Sequence, residues 1–281
     1  MRQSTESNTR GEYALATGSA ATYRLQVLQS LYGPGSRRAL QQAGIQRGMR
    51  VADIGCGVGM MTALLAELVG PGGHAVGVDF SGAQLAQARE VLPSSLSNVS
   101  FVEASATSTG LPRESFDLVY CRYLLLHLSE PDRALREMYD ILKPGGILVC
   151  EDGDLTSAGS EPPSSLNAFA DLWGRLGPTK GVDYTLARRL VQMALTANFS
   201  DPNITFNQPV AIRGENKRFL EWSVAEAGPA FVEAGLITSE ELRSTLAEMQ
   251  RVAEDETVIA VMPRMSQIWA RKLGPCLSAA A

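Results

Sequence analysis

The chain reads as an α/β protein with a doubly wound, seven-stranded, mostly parallel sheet. Helices precede the sheet and a helical cap is inserted before its last strand. Three observations predict this. Short apolar runs alternate with amphipathic stretches through residues 50–151, the pattern of consecutive βαβ units. The first run ends in Asp53 and a loop with glycine at 55, 57 and 59, a strand-to-helix turn suited to a ligand at the carboxyl edge of a sheet. The next run, 74–78, ends in a second acid, Asp79.

The elements follow in order. Ala20, Tyr23, Leu25, Leu28 and Leu31 recur at helical spacing, predicting a helix over 19–31 that stops at Gly33-Pro34-Gly35. Residues 36–43 predict a second short helix with Gly44 as its C-cap. Strand one is 50–54, and the helix behind the glycine loop is 60–69. Gly70-Pro71-Gly72-Gly73 turns the chain into strand two, 74–79. Residues 81–92 form a helix with Ser81 as N-cap. Strands three and four are 99–103 and 116–121, an amphipathic helix covers 131–142, and strand five is 147–151. The Ser/Gly/Pro-rich stretch 156–165 reads as a loop. Helices are expected at 166–176 and 184–197, strand six at 203–212, a helical block over 215–255 and the last strand at 264–272.

The loop chemistry narrows the ligand. A dinucleotide fingerprint counted from Gly55 needs a third glycine at position 60, where Met60 stands. No Lys or Arg lies between Asp53 and Met61, and the Lys-Ser/Thr pair of a P-loop is absent. An acid at the loop tolerates a pyrophosphate poorly and suits a cationic ligand such as S-adenosylmethionine (SAM). Asp79 offers two acceptor oxygens to the two hydroxyls of a ribose.

Four motifs then carry a resemblance. Asp53-Ile54-Gly55-Cys56-Gly57-Val58-Gly59, Val76-Gly77-Val78-Asp79-Phe80-Ser81, Leu111-Pro112 with Ser115-Phe116-Asp117-Leu118-Val119, and Leu142-Lys143-Pro144-Gly145-Gly146 with Ile147-Leu148-Val149 occur in order. Together they resemble the class I SAM-dependent methyltransferases over roughly residues 45–155. Within that class they are most similar to the ubiquinone/menaquinone-biosynthesis-like and secondary-metabolite enzymes. The resemblance implies a Rossmann-like core with SAM as cofactor. Gly55, Cys56, Gly57 and Gly59 would cradle its methionine portion with Asp53 near the ammonium. Asp79 would hold the ribose and Phe80 lie on the adenine face. Related enzymes often place an Asp-Ala pair after the third strand; here Ser105-Ala106 stands there, a weaker adenine contact. Arg122, ending the fourth strand, joins the cofactor set. The segment holding Tyr13, Tyr23 and Arg24 would fold over the cofactor as a lid, with Arg24 meeting the SAM carboxylate. The chain divides into a disordered N-terminus (1–12), lid helices (13–44), the SAM-binding core (45–213), a helical cap (214–257), and the last strand with a tail (258–281).

Methyl transfer needs alignment more than proton chemistry. An oxygen or nitrogen acceptor can need a base, and His127 is the candidate. Tyr123 shares its face if the segment is helical. Packing roles weigh against both. Glu151, Asp152 and Asp154 could attract an amine or a metal, but a solvated loop is the plainer reading. Trp173, Trp222, Phe219, Phe231 and Met249 are candidates for an apolar acceptor pocket, with core packing as the default.

The remaining composition excludes rather than assigns. A net charge of −5 without a long Lys/Arg cluster argues against nucleic acid. Four scattered cysteines and two histidines argue against zinc and, as buried thiols, for a reducing cytoplasm. No run of eighteen apolar residues suggests a membrane span. The leading expectation is a SAM-dependent methyltransferase acting on a small, apolar or aromatic metabolite, with the cap as a candidate homodimer contact. The alternatives are a SAM-binding relative that catalyses a cyclisation, a nicotinamide oxidoreductase and a noncatalytic partner subunit.

Overall fold

A computed structural model describes residues 19–92 and 96–273. Helix α1 spans Ser19–Ala43. The alternating core follows: β1 Arg50–Ile54, α2 Met60–Val69, β2 His74–Asp79, α3 Gly82–Val91, β3 Val99–Glu103, β4 Phe116–Arg122, α4 Pro131–Ile141 and β5 Leu142–Asp154. Then come β6 Gly159–Glu161, α5 Ala168–Lys180, α6 Leu190–Thr196, β7 Phe199–Asn207 and β8 Val210–Ala211. The chain continues through α7 Glu215–Glu233, α8 Ser239–Glu254, β9 Ile259–Val261 and β10 Arg264–Lys272. The large sheet has the order β3-β2-β1-β4-β5-β10-β7. Its first five strands are parallel, and β10 runs antiparallel between β5 and β7. This is the expected Rossmann-like architecture, with α7 and α8 inserted before the last strand.

The parallel strands are apolar on both faces because helices cover both. On one face Val51, Leu118 and Val149 pack with Leu40 of α1 and Leu65 of α2. On the other, Ile54, Val119 and Leu148 pack with Leu135 and Met138 of α4, and this core runs on to Trp173 of α5 and Phe231 of α7. Residues 118 and 119 thus turn to opposite faces, as the strand period requires.

Several local expectations are corrected. The break at Gly33-Pro34-Gly35 is absent: α1 is one helix with Pro34 inside it. A mid-helix proline costs about 3 kcal/mol, so tertiary contacts must offset it. Tyr32, Ser36 and Leu40 are fully buried on either side. A Cβ at Gly35 would sit 2.1 Å from Asn207 Nδ2, so that side chain would have to move to admit one. The stretch 156–165 is not all loop. It holds β6, which forms a small antiparallel sheet with β9 and β8 that the sequence reading missed. The sixth strand of 203–212 is two strands, interrupted at Pro209, whose carbonyl accepts Met262 N. Strand five is longer than expected because its end pairs with β10, Asp152 opposite Ser266 and Asp154 opposite Arg264.

Gly59, the left-handed N-cap of α2 (φ 76°), faces Phe101, and an added Cβ would stand 3.0 Å from its ring. Gly48 is also left-handed (φ 86°) but has open space around its would-be Cβ. Gly48→Ala should therefore cost only the backbone term, about 1–2 kcal/mol, while Gly59→Ala costs more. Denaturant unfolding of both variants measures the difference; equal losses would mean that Phe101 simply yields.

Candidate active site

The glycine loop is fastened to the end of β2. Gly55 N and Cys56 N both donate to Val78 O (2.7 and 3.0 Å), and Gly57 N donates to Asp79 Oδ2 (2.9 Å). Gly55 and Gly57 take φ of 73° and 54°, which glycine alone adopts freely. A Cβ on Gly55 would come within 2.7 Å of Leu124, and one on Gly57 within 2.8 Å of Gln84. The other Asp79 oxygen accepts Ser81 N (2.9 Å). Burial raises the Asp79 carboxyl, and these backbone bonds hold it back. Each oxygen keeps a lone pair for a further donor.

Asp53 is buried, and its Oδ2 accepts the Thr62 hydroxyl (2.6 Å), a partner one turn into α2. Burial pushes its pKa up to about 6, against the Thr62 bond and the Arg122 charge. Nothing in the sequence pattern singled out Thr62.

These groups open on one cavity of about 330 Å³. Asp53, Gly55, Cys56, Gly57, Asp79, Phe80, Ser105 and Ala106 line its one end, as expected for a cofactor end. Phe80 is 60% exposed, so it is no core aromatic. Ser105 Oγ lies 3.0 Å from the Thr107 hydroxyl and accepts Thr107 N. Gly59 packs against Phe101, Leu92 and Ala88 and is absent from the cavity lining. Arg122 borders the cavity but donates to Gln29 Oε1 (2.7 Å) and Ser36 Oγ (3.2 Å) of α1. Arg24 also borders it, ion-paired through Nε to Glu226 of α7 (2.5 Å). Tyr13 lies outside the described residues; Tyr23 packs on Trp222 instead of the cavity (5.3 Å between rings).

The other end is apolar: Leu25, Leu28, Leu126, Phe169, Trp173 and Phe219. Of the candidates for an apolar pocket, Trp173 and Phe219 reach the cavity, while Phe231 and Met249 are core. His127 lies in the wall, edge-on to Tyr184 (5.7 Å). Burial, then the positive charge of Arg24, pushes its pKa down to about 3, so it is neutral at physiological pH. Tyr123 does not share a helical face with it. Tyr123 is left-handed (φ 49°) and its N still donates to Glu151 O of β5; only 125–127 form a turn of 3₁₀ helix. Gly153 makes room for the Tyr123 ring, because a Cβ there would lie 2.4 Å from Cε1.

The acids after strand five are not a solvated loop. Glu151, Asp152 and Asp154 are at most 1% exposed. Glu151 accepts Ser36 Oγ (2.5 Å), Asp152 accepts Leu126 N (3.2 Å) and Asp154 accepts Arg188 Nε (2.7 Å). Asp152 therefore braces the turn that carries His127. Cys56, Cys121 and Cys150 are buried free thiols. Among the described residues, no helix is long and apolar enough to cross a membrane.

An exposed aromatic, a carboxylate at a strand tip and glycine backbone beside a buried acid form a donor set that fits an adenosyl amino acid. Residues 52–150 match the methyltransferase domain family. The demethylmenaquinone methyltransferase of Listeria monocytogenes is 39% identical over 109 residues, which cover 38% of this chain and 46% of that protein. The ubiquinone/menaquinone biosynthesis C-methyltransferase of Pectobacterium carotovorum is 34% identical over 115 residues, 40% of this chain and 46% of that protein. The chain thus spans about half the length of the curated relatives it matches. The crystal structure of the YcgJ protein of Bacillus subtilis aligns with a TM-score of 0.56 at 21% identity, covering 84% of this chain and 97% of that one, which supports the fold.

The raised Asp53 carboxyl gives a pH test. Above about 6 it is charged and attracts an ammonium; as pH falls through that value the attraction is lost. S-adenosylhomocysteine should bind up to about tenfold more weakly at pH 5 than at pH 7.5, and Asp53→Asn should flatten that dependence in calorimetric titrations.

Proposed function

We propose that this chain, whose residues 52–150 match the methyltransferase domain family, is a class I SAM-dependent methyltransferase that transfers a methyl group from SAM to a small apolar or aromatic acceptor. The observation that carries the reading is one cavity with an acid-and-glycine cradle at one end and aliphatic and aromatic walls at the other. Bound SAM supplies an electrophilic methyl on a sulfonium. The chain's own residues bind, align and dry the reactants. Asp79 would accept from the ribose hydroxyls, Phe80 would cover the adenine, and Ser105 and Ala106 would border the base. Asp53 would balance the ammonium. The apolar walls exclude water and hold the acceptor in line, which supplies most of what this reaction asks of a protein.

Proton abstraction is a poor role for the nearby titratable groups. A histidine near 3 is too weak a base at neutral pH, and burial raises the Tyr123 phenol so that it stays protonated. His127 serves as a neutral polar wall group and Tyr123 as packing. The relatives are named for quinone-type acceptors. Arg24, Phe169, Trp173 and Phe219 lie outside the matched stretch 52–150, so the acceptor class rests on the cavity of this chain.

Asp79→Ala removes two oxygens that accept charge-assisted bonds and should weaken S-adenosylhomocysteine binding about 10- to 100-fold. Calorimetry measures the affinity, and a thermal melt checks the fold. With methyl-labelled SAM and a panel of naphthols and hydroquinones, label should move to an acceptor with one S-adenosylhomocysteine per transfer. Acceptor turnover without that product would favour the cyclisation alternative. His127→Ala should leave the shape of the pH–rate profile unchanged between about pH 6 and 9; a lost limb would make it the base.

A further inference from the structure

The apolar end of the cavity contains one charged side chain. Arg24 is 6% exposed and borders the space shared by Leu25, Leu28, Phe169, Trp173 and Phe219. A guanidinium buried among such walls is costly unless its donors are used. Glu226 of α7 takes the Nε–H at 2.5 Å. Among the described residues no protein acceptor meets the Nη groups. The second Glu226 oxygen is buried and likewise has no hydrogen-bond partner there. Glu226 therefore anchors one edge of the guanidinium and leaves the rest of the fork without a protein acceptor beside the cavity. A planar fork of this kind suits an oxygen carrying negative charge.

Position along α1 separates this group from the donor end. Gln29 and Ser36 are the α1 residues that hold Arg122 beside Asp53. Arg24 is five residues earlier, about 7.5 Å along the helix axis, where α1 meets the cap helix α7. His127, whose titration registers the Arg24 charge, stands in the same wall as Leu126 and Trp173.

We infer that Arg24, oriented by Glu226, recognises a carboxylate or phenolic oxygen on the acceptor. The acceptor is then an aromatic body carrying an electron-rich oxygen, not a plain hydrocarbon. This rests on the proposed methyl transfer and deepens its acceptor side. The same fork could receive the carboxylate of the donor amino acid, and the test separates the two.

The full chain is loaded with S-adenosylhomocysteine and dialysed to equilibrium against 2-naphthoate, 2-naphthol or naphthalene. Wild type should bind the two oxygenated probes at least about tenfold more tightly than naphthalene. Arg24→Leu/Glu226→Leu removes both charges, so neither is left buried alone. It should bind all three probes within about twofold of one another and keep its affinity for S-adenosylhomocysteine. If that variant melts too low to use, Arg24→Met/Glu226→Gln gives the same comparison. The inference is overturned if wild type shows no preference, if no probe binds, or if the double variant keeps the preference. It is also overturned if the variant loses S-adenosylhomocysteine but not 5′-methylthioadenosine, which lacks the carboxylate; Arg24 would then serve the donor. Wild type failing to bind S-adenosylhomocysteine would instead overturn the methyl-transfer reading, and the inference with it.

Discussion

The site depends on the attachment of the β1–α2 loop to the tip of β2. Two loop N–H groups converge on Val78 O and a third reaches Asp79. Those bonds need the left-handed turns at Gly55 and Gly57, and the turns need residues without a Cβ. The same attachment positions Leu124 over Gly55 and starts α2, whose Thr62 reaches back to Asp53. Hydrogen bonds and ligand chemistry therefore compete for one carboxylate. Asp79 is partly neutralised by the backbone it organises, yet retains lone pairs at the cavity edge.

Buried charge explains why α1 is integral to the site. Arg24, Asp53, Glu151, Asp152 and Asp154 are all nearly inaccessible to water. Each would be destabilising if left alone. Ser36 of α1 bonds Glu151, and Ser36 with Gln29 bonds Arg122, whose charge lowers the carboxyls of Asp53 and Glu151. At the other end of α1, Arg24 depends on the cap helix α7. One helix thus spans both ends of the cavity, and a break at Gly33-Pro34-Gly35 would separate Ser36, with its bonds to Glu151 and Arg122, from Gln29 and Arg24. The tertiary contacts that keep α1 continuous are also those that complete the site.

The parallel core was legible because its signals are local. Alternating apolar runs set β1 to β5, and the last strand falls at 264–272 as read. Asp53, Asp79 and the glycine loop announced themselves by spacing. What was missed is non-local. Gly33-Pro34-Gly35 reads as a stop by propensity, and only burial of Tyr32, Ser36 and Leu40 reverses it. Glu151, Asp152 and Asp154 read as solvated until pairing with β10 buries them. Tyr123 would share a face with His127 only in a helix; its left-handed turn, and the space Gly153 leaves for its ring, make no mark in the pattern. The Arg24–Glu226 pair joins residues about 200 positions apart, beyond any periodicity.

The two ends of the cavity differ in how the chain encodes them. The donor end is built almost wholly from 53–106, contiguous strands and turns whose spacing is set by sheet geometry. That stretch falls wholly within residues 52–150, which match the methyltransferase domain family. The apolar end is assembled from α1, α5, α7 and the turn that carries Leu126 and His127, segments brought together only by folding. The residues of α1, α5 and α7 lie outside the matched stretch 52–150, so they can change without disturbing the glycine loop and its two acids. The chemistry of that end is therefore set by the walls of this particular cavity, where apolar side chains and a clamped arginine border the same space.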